Sequence, residues 1–266
     1  MFVIYYFDDT IKLSENLEEE IDMPLIAKIF KSDVSNKNEY PIELILDKYP
    51  KSVVSESIKT LRTNLQFSQV DDELKTLLIT SSIPNEGKSF ISANLAISFV
   101  QTGKKVLIID CDMRKGRQHK IFKMSNTKGL SDLLIDDVSN YASYIKKTHI
   151  DNLYLITSGT IPPNPSELLN SKKNKLLIEK LKTKFHYIIF DGVPCNGLPD
   201  SIIMSTLVDK VLIVAKEGVT PKSVLETTKK SLEKVNADVA GVILNDINKK
   251  GNLYGKYYSY YGDMDK

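Results

Sequence analysis

Residues 74–100 read LKTLLIT, then SSIPNEGKS, then FISANLAISFV. The first stretch is an apolar run of strand length, and the last carries apolar side chains at helical spacing. The turn between them ends in Gly87-Lys88-Ser89, the last part of a P-loop. Each piece has a physical task. Backbone N–H groups of the turn wrap a phosphate, and the helix N-terminus adds its partial positive charge. Gly87 lets the backbone come close, Lys88 reaches the β/γ-phosphates, and Ser89 offers a hydroxyl to Mg²⁺. Contacts to a nucleotide are therefore expected from Ser82, Asn85, Glu86, Gly87, Lys88, Ser89 and Phe90. The general pattern opens with Gly where this chain has Ser82. A plain strand-to-helix turn with a solvated lysine is the alternative, and the order strand, loop, helix weighs against it.

Two further strands end in carboxylates. Residues 105–113 read KVLIIDCDM, closing on Asp110-Cys111-Asp112, and residues 187–191 read YIIFD, closing on Asp191. In an open parallel sheet, ligands bind at the carboxyl ends of the strands. Both carboxylate groups should therefore meet the P-loop at one edge. A divalent ion beside a triphosphate needs hard oxygen ligands, which Ser89, Asp112 and Asp191 supply. A single aspartate would read as a turn former; two such strands beside a P-loop point to a site.

Together these segments resemble the bacterial tyrosine kinases of the capsule and exopolysaccharide type. SSIPNEGKS, LIIDCDMRKGRQHKIF and YIIFDGVPC resemble that family's Walker A, A′ and B motifs. PPNPSELL at residues 162–169 resembles another family block, as does the tyrosine-rich tail. The resemblance covers roughly residues 50–266. Departures are Asn85 where the family has Gly, Gly116 for Pro, and Gly192-Val193-Pro194-Cys195 for Thr-Pro-Pro. The last two are expected in loops near the metal. The resemblance implies a P-loop NTPase-like α/β fold, a mostly parallel sheet flanked by helices. It implies ATP and Mg²⁺ as nucleotide and metal, with polysaccharide-synthesis proteins as substrates.

Composition agrees. The chain has 266 residues, 42% of them hydrophobic, enough for a full core. A net charge of +2 gives no argument for nucleic acid as a partner. Cys111 and Cys195 lie close after separate strand ends, which favours a reducing cytoplasm over a disulfide framework. Three widely spaced histidines form no zinc pattern, and His119 reads as a surface or substrate-loop residue.

The chain opens MFVIYYF, an aromatic run too short to cross a bilayer and suited to the membrane boundary. In the family it resembles, a two-helix membrane protein (a polysaccharide co-polymerase), separate or fused, feeds its cytoplasmic tail to the kinase. Residues 1–31 resemble the end of such a tail. They are read as an activator segment at the cytoplasmic face of the membrane, with the membrane helices upstream. An N-terminal strand of a soluble protein is the alternative. Ser14 is expected to cap a short helix over residues 14–20, and residues 25–30 to form a strand. Residues 32–50 are read as a linker. The kinase domain is assigned to residues 51–248.

A helix over residues 52–67 presents Glu56, Lys59 and Arg62 three apart. The family uses Glu-x₂-Arg-x₂-Arg there to join subunits, so the resemblance implies a homo-oligomeric ring, an octamer among the sizes it allows. Lys59 departs from the pattern and loses the bidentate fork. The bland reading is a solvated helical face. The remainder alternates strands (residues 152–157, 210–215, 239–244) with helices (residues 129–135, 166–170, 173–184, 221–235). Asn245, after the last strand, matches an asparagine that contacts adenine in related P-loop ATPases; a turn former is the alternative.

Residues 249–266 read KKGNLYGKYYSYYGDMDK. Tyr254, Tyr257, Tyr258, Tyr260 and Tyr261 cannot share one buried face, and the glycines and charges argue for exposure. They are read as phosphate acceptors, or as a tail that only binds a partner. Catalysis would then join Lys88, Asp110, Asp112 and Asp191, with Asp110 or Asp112 as base for a phenol of pKa about 10. Two rivals remain: a spatial-organisation or partition-type ATPase, and a nucleotide-binding module without turnover. The first places a second lysine where this chain has Ile83.

Overall fold

A computed structural model describes residues 8–32, 42–67 and 74–248. The opening aromatic run, part of the linker and the tyrosine tail lie outside the described residues. Along the chain run α1 (Leu17–Ile21), β1 (Leu25–Phe30), a 3₁₀ turn (Ile42–Leu44), α2 (Ile45–Lys48), α3 (Val53–Phe67), β2 (Thr76–Ser81), α4 (Lys88–Val100) and β3 (Val106–Asp110). Then come α5 (Gln118–Ile121), α6 (Leu130–Ile135), a 3₁₀ segment (Val138–Tyr144), β4 (Lys146–Lys147), β5 (Leu153–Ile156), α7 (Pro165–Leu169) and α8 (Lys172–Lys182). The last elements are β6 (Tyr187–Pro194), α9 (Asp200–Ser205), β7 (Lys210–Lys216), α10 (Lys222–Glu233) and β8 (Val239–Ile247).

Among the described residues the strands form one sheet, ordered β1-β8-β7-β2-β6-β3-β5-β4. All pairs are parallel except β4 against β5. A parallel sheet covered on both faces needs apolar side chains on both, which explains the unbroken run in β2. Leu77 and Ile79 face α3 and α4, and Leu78 faces the opposite layer. Residues 91–99 of α4 are all buried, so the helix shows no polar stripe. β2 sits in the middle, with β6 and then β3 beside it, so the P-loop and both carboxylate strand ends share one edge.

The expected fold class holds, and four local expectations change. The helix expected at residues 14–20 is observed over Leu17–Ile21, where Ser14 caps nothing and donates instead to Glu20 at 3.0 Å. Residues 42–48, read within the linker, are helical, and Leu44, Ile45 and Leu46 are buried. The buried Asn94 of α4 explains the anchoring: its amide donates to Glu43 O at 2.6 Å and accepts from Leu46 N at 3.0 Å. β6 runs three residues past Asp191, through residues read as a loop, and resumes pairing beyond a bulge with Ser81 opposite Pro194. Helices α5 and α9 were not expected at all.

Candidate active site

Gly87 is the N-cap of α4 at φ +98°, and Asn85 lies at φ +66°. Both are left-handed conformations that glycine adopts freely and asparagine tolerates. Asn85 can therefore replace glycine without breaking the turn. A Cβ on Gly87 would also fall 2.1 Å from Asn245 Nδ2. That amide donates to Glu86 O at 2.9 Å, so Asn245 braces the P-loop from β8.

Glu86 is fully buried. Its Oε2 accepts from Ile83 N at 2.7 Å, and its Oε1 accepts from the Thr220 hydroxyl. Its carboxylate therefore faces into the fold, which leaves its backbone N–H for the expected contact to a phosphate. Burial holds the carboxyl above the usual range, opposed by Thr220 and by Ile83 N–H. Phe90 is half-buried and packs on the α3–α4 core.

Asp110 and Asp191 stand directly opposite each other across β3 and β6. Both are fully buried. Asp191 is held by Gln118 Nε2 at 2.8 Å and by the Ser92 hydroxyl at 3.3 Å. Gln118 Nε2 also donates to Ser89 O at 3.0 Å, and Gln118 N donates to Asp110 at 3.0 Å. One side chain thus ties P-loop, A′ turn and B strand together. Nothing local in the sequence around Gln118 signals this role. Burial, then the neighbouring Asp191, pushes the Asp110 carboxyl well up; burial also raises Asp191, with Lys88 the largest opposing influence. Asp112 is buried at 8% exposure, and its Oδ1 accepts from Arg114 N and Lys115 N.

These groups fit a hydrated Mg²⁺. Among the described residues no group of three or more His, Cys, Asp or Glu side chains could hold a metal alone. Mg²⁺ needs no such cage, since it takes one or two carboxylates, waters and substrate phosphates. Ser89, Asp112 and Asp191 are hard oxygen donors at the phosphate edge, and two buried oxygens there, Ser82 Oγ and Gln118 Oε1, lack a partner. When bound, the metal supplies charge neutralisation at the phosphates.

The A′ loop is anchored at its far side. Arg114 pairs with the buried Asp200 at 3.2 Å, and Ser166 of the PPNPSELL block donates to the same carboxylate. Two of the departures, Gly116 and Gly192, sit where a side chain would crowd its neighbours. A Cβ on Gly116 would lie 2.3 Å from Ser158 Oγ and 2.8 Å from Asp110 Oδ2; one on Gly192 would lie 2.6 Å from Ser201 Oγ.

The sequence matches the AAA domain family over residues 74–240. It is 39% identical over 216 residues to tyrosine-protein kinase YwqD of Bacillus subtilis (strain 168), spanning 81% of this chain and 90% of YwqD. The fold matches the kinase domain of the Escherichia coli tyrosine kinase ETK at TM-score 0.82 and 30% identity, over 91% of this chain and 97% of that one. The chain belongs to the bacterial tyrosine kinases. A third match is the chimerical protein CapA2B2, at TM-score 0.81 and 36% identity, over 89% of this chain and all of that one. The kinase's reaction is transfer of a nucleotide phosphoryl group to protein tyrosine.

On α3 of the kinase, Lys59 pairs with Glu56 at 2.7 Å and also donates to Pro50 O. Arg62 donates to Ser98 O at 2.6 Å, at the end of α4. In the single chain the three expected contact residues thus serve α3 itself and its packing on α4.

The kinase's N-terminal segment is built into the fold. β1 is the edge strand beside β8, with Phe30 opposite Ile247 at the ligand-side end. Phe30 is buried at 4% exposure. Gly241, at φ +148°, makes room: a Cβ there would lie 2.3 Å from Pro24 O. Upstream, Ile11 N donates to Thr220 O and Gly218 N donates to Ile11 O, each at 2.8 Å. Glu20 and Asp22 pair with Lys222 and Lys229 of α10. Among the described residues no helix is long and apolar enough to cross a membrane.

Both cysteines are buried and free. Burial pushes the Cys195 thiol up to about 11. Only about one thiol in a thousand would be the reactive thiolate at pH 8. The folded kinase is therefore expected to resist iodoacetamide at pH 8 and to label at both cysteines in urea. Rapid labelling of folded protein, read by mass spectrometry, would contradict the burial.

Proposed function

We propose that this chain autophosphorylates its C-terminal tyrosine cluster in trans, using ATP with Mg²⁺, and thereby regulates capsular or exopolysaccharide synthesis. The observation that carries the reading is the meeting of Lys88, Ser89, Asp110, Asp112 and Asp191 at one sheet edge, in a chain that ends in five closely spaced tyrosines. The P-loop amides and Lys88 bind and orient the phosphates. Ser89, Asp112 and Asp191 would hold the metal. A tyrosine hydroxyl from a neighbouring chain would attack the γ-phosphorus in line as the bond to the β,γ-bridging oxygen breaks and ADP leaves. Asp112 Oδ2 would take the phenol proton, Oδ1 being held by two backbone N–H groups, with Asp112 touching the metal through a bound water. Asp112 suits that task better than Asp110, whose two oxygens each accept a backbone N–H. Residues 1–31 act as the cytoplasmic activator of a membrane-bound modulator, at the cytoplasmic face of the membrane.

The test mixes wild-type chain with an epitope-tagged Lys88→Met chain, ATP and Mg²⁺. Phosphotyrosine on the tagged chain supports transfer in trans. A tagged chain that stays unmodified while the wild type is labelled rejects it. ATP turnover with no phosphotyrosine on either chain favours the partition-type ATPase, and nucleotide binding without turnover favours the inert module.

The tails would also govern assembly. Unmodified tails dock in neighbouring sites and add to an interface through Glu56, Lys59 and Arg62. Each phosphate adds about −1.5 to −2 charges, which repels the acidic cluster and ejects the tail. Light scattering is expected to find a ring before phosphorylation and smaller species after it, with Glu56→Ala/Lys59→Ala/Arg62→Ala as the interface control. A monomer in both states would remove the ring.

A further inference from the structure

The turn after β7 touches both the N-terminal segment and the P-loop. On one side Ile11 forms both backbone hydrogen bonds to it, with Thr220 O and Gly218 N. Leu13 N donates to Glu217 at 3.3 Å, and Lys222 N donates to Asp9 O at 2.7 Å. On the other side the Thr220 hydroxyl donates to Glu86, whose second oxygen holds Ile83 N. Thr220 is fully buried, and its hydroxyl also accepts from Lys216 N at 2.7 Å, which fixes the direction of its proton.

A buried carboxylate inside a phosphate-binding loop works against the ligand's charge, so its presence there needs a reason. The hydrogen bonds supply one. Glu86 braces the loop from behind, and the brace ends on the turn that residues 8–13 grip. We infer that Glu86 is a positioning residue for the P-loop, and that docking of the N-terminal segment reaches the phosphate site through Ile11, Thr220 and Glu86. The inference rests on the activator role proposed above for residues 1–31. It adds a route: the segment raises nucleotide affinity by shaping the loop's backbone N–H groups, over and above any contact it makes with a base.

A double-mutant cycle in the full chain tests this, reading ADP–Mg²⁺ affinity by calorimetry and folding by thermal melting. Thr220→Val cuts the brace and Thr220→Ser keeps its hydroxyl. Glu20→Lys/Asp22→Lys loosens the segment at two surface ion pairs far from the loop in sequence. A hydrogen bond to a charged group is at stake, so Thr220→Val is expected to weaken ADP about tenfold, and Thr220→Ser to restore it. The charge reversals alone should weaken ADP several-fold, and should add little once Thr220 is valine. Full additivity of the two losses would overturn the route while leaving the activator role intact. Charge reversals that loosen the segment, seen as a lower melting point, without changing ADP affinity would overturn the activator role and the route with it. Thr220→Val binding ADP like wild type would overturn the role of Glu86.

Discussion

Lys88→Met is expected to abolish tyrosine phosphorylation while the chain stays folded. Lys88 begins α4 directly after the Gly87 turn, and it is the cation that most opposes the raised Asp191 carboxyl. Phosphoryl transfer depends on positioning and charge neutralisation. Removing one such charge commonly costs about 10²–10³ in rate. The fold should survive because the lysine is half-buried and outside the apolar core. Asp191, which loses that cation, is still held by Gln118 Nε2 and the Ser92 hydroxyl. Immunoblotting for phosphotyrosine, beside a melting curve, checks both halves. Wild-type phosphotyrosine in the variant would remove the P-loop assignment, whereas a collapsed melting transition would show that Lys88 is structural.

Gly241→Val should also lower activity, although by less and away from every proposed catalytic group. Gly241 holds a backbone conformation that side chains with a Cβ rarely adopt. A Cβ there would lie 2.3 Å from Pro24 O and 2.9 Å from Ile26 Cγ1, so β1 must move off β8. Strain of that kind costs on the order of 1–3 kcal/mol, enough to unseat an edge strand while the rest of the parallel sheet persists. Autophosphorylation and nucleotide affinity should each fall at least about tenfold, which corresponds to about 1.4 kcal/mol. Added nucleotide should still raise the melting temperature of the variant. Wild-type phosphorylation with β1 displaced, judged by hydrogen exchange in residues 25–30, would reject an activating role for the segment.

The parts of this kinase that were legible in its sequence are those whose physics is local. A strand, a glycine turn and a helix N-terminus follow one another within residues 74–100, so the P-loop could be read directly. Asp110 and Asp191 could be read because each closes an apolar strand, and parallel pairing then sets them side by side. What stayed hidden depends on partners far along the chain. Gln118 looks like any loop residue until β3, β6 and α4 bring Asp191 and Ser89 O within reach. Asp200 reads as an ordinary first-turn acid, yet it collects Arg114 and Ser166. Glu86 sits inside the motif but points away from the ligand because Thr220 lies 134 positions ahead of it. The polar, turn-forming stretch before residue 42 masked the buried Leu44, Ile45 and Leu46. Gly192 and Pro194 suggested a loop where a bulge lets β6 continue.

On the proposed function, this site moves a phosphoryl group onto the chain's own tyrosines. The direct test is incubation of the full chain with ATP and Mg²⁺, followed by mapping of modified residues by mass spectrometry. Phosphate is expected on Tyr254, Tyr257, Tyr258, Tyr260 and Tyr261, dependent on Mg²⁺ and absent from Lys88→Met. ATP bound or hydrolysed with every tail tyrosine unmodified would contradict it.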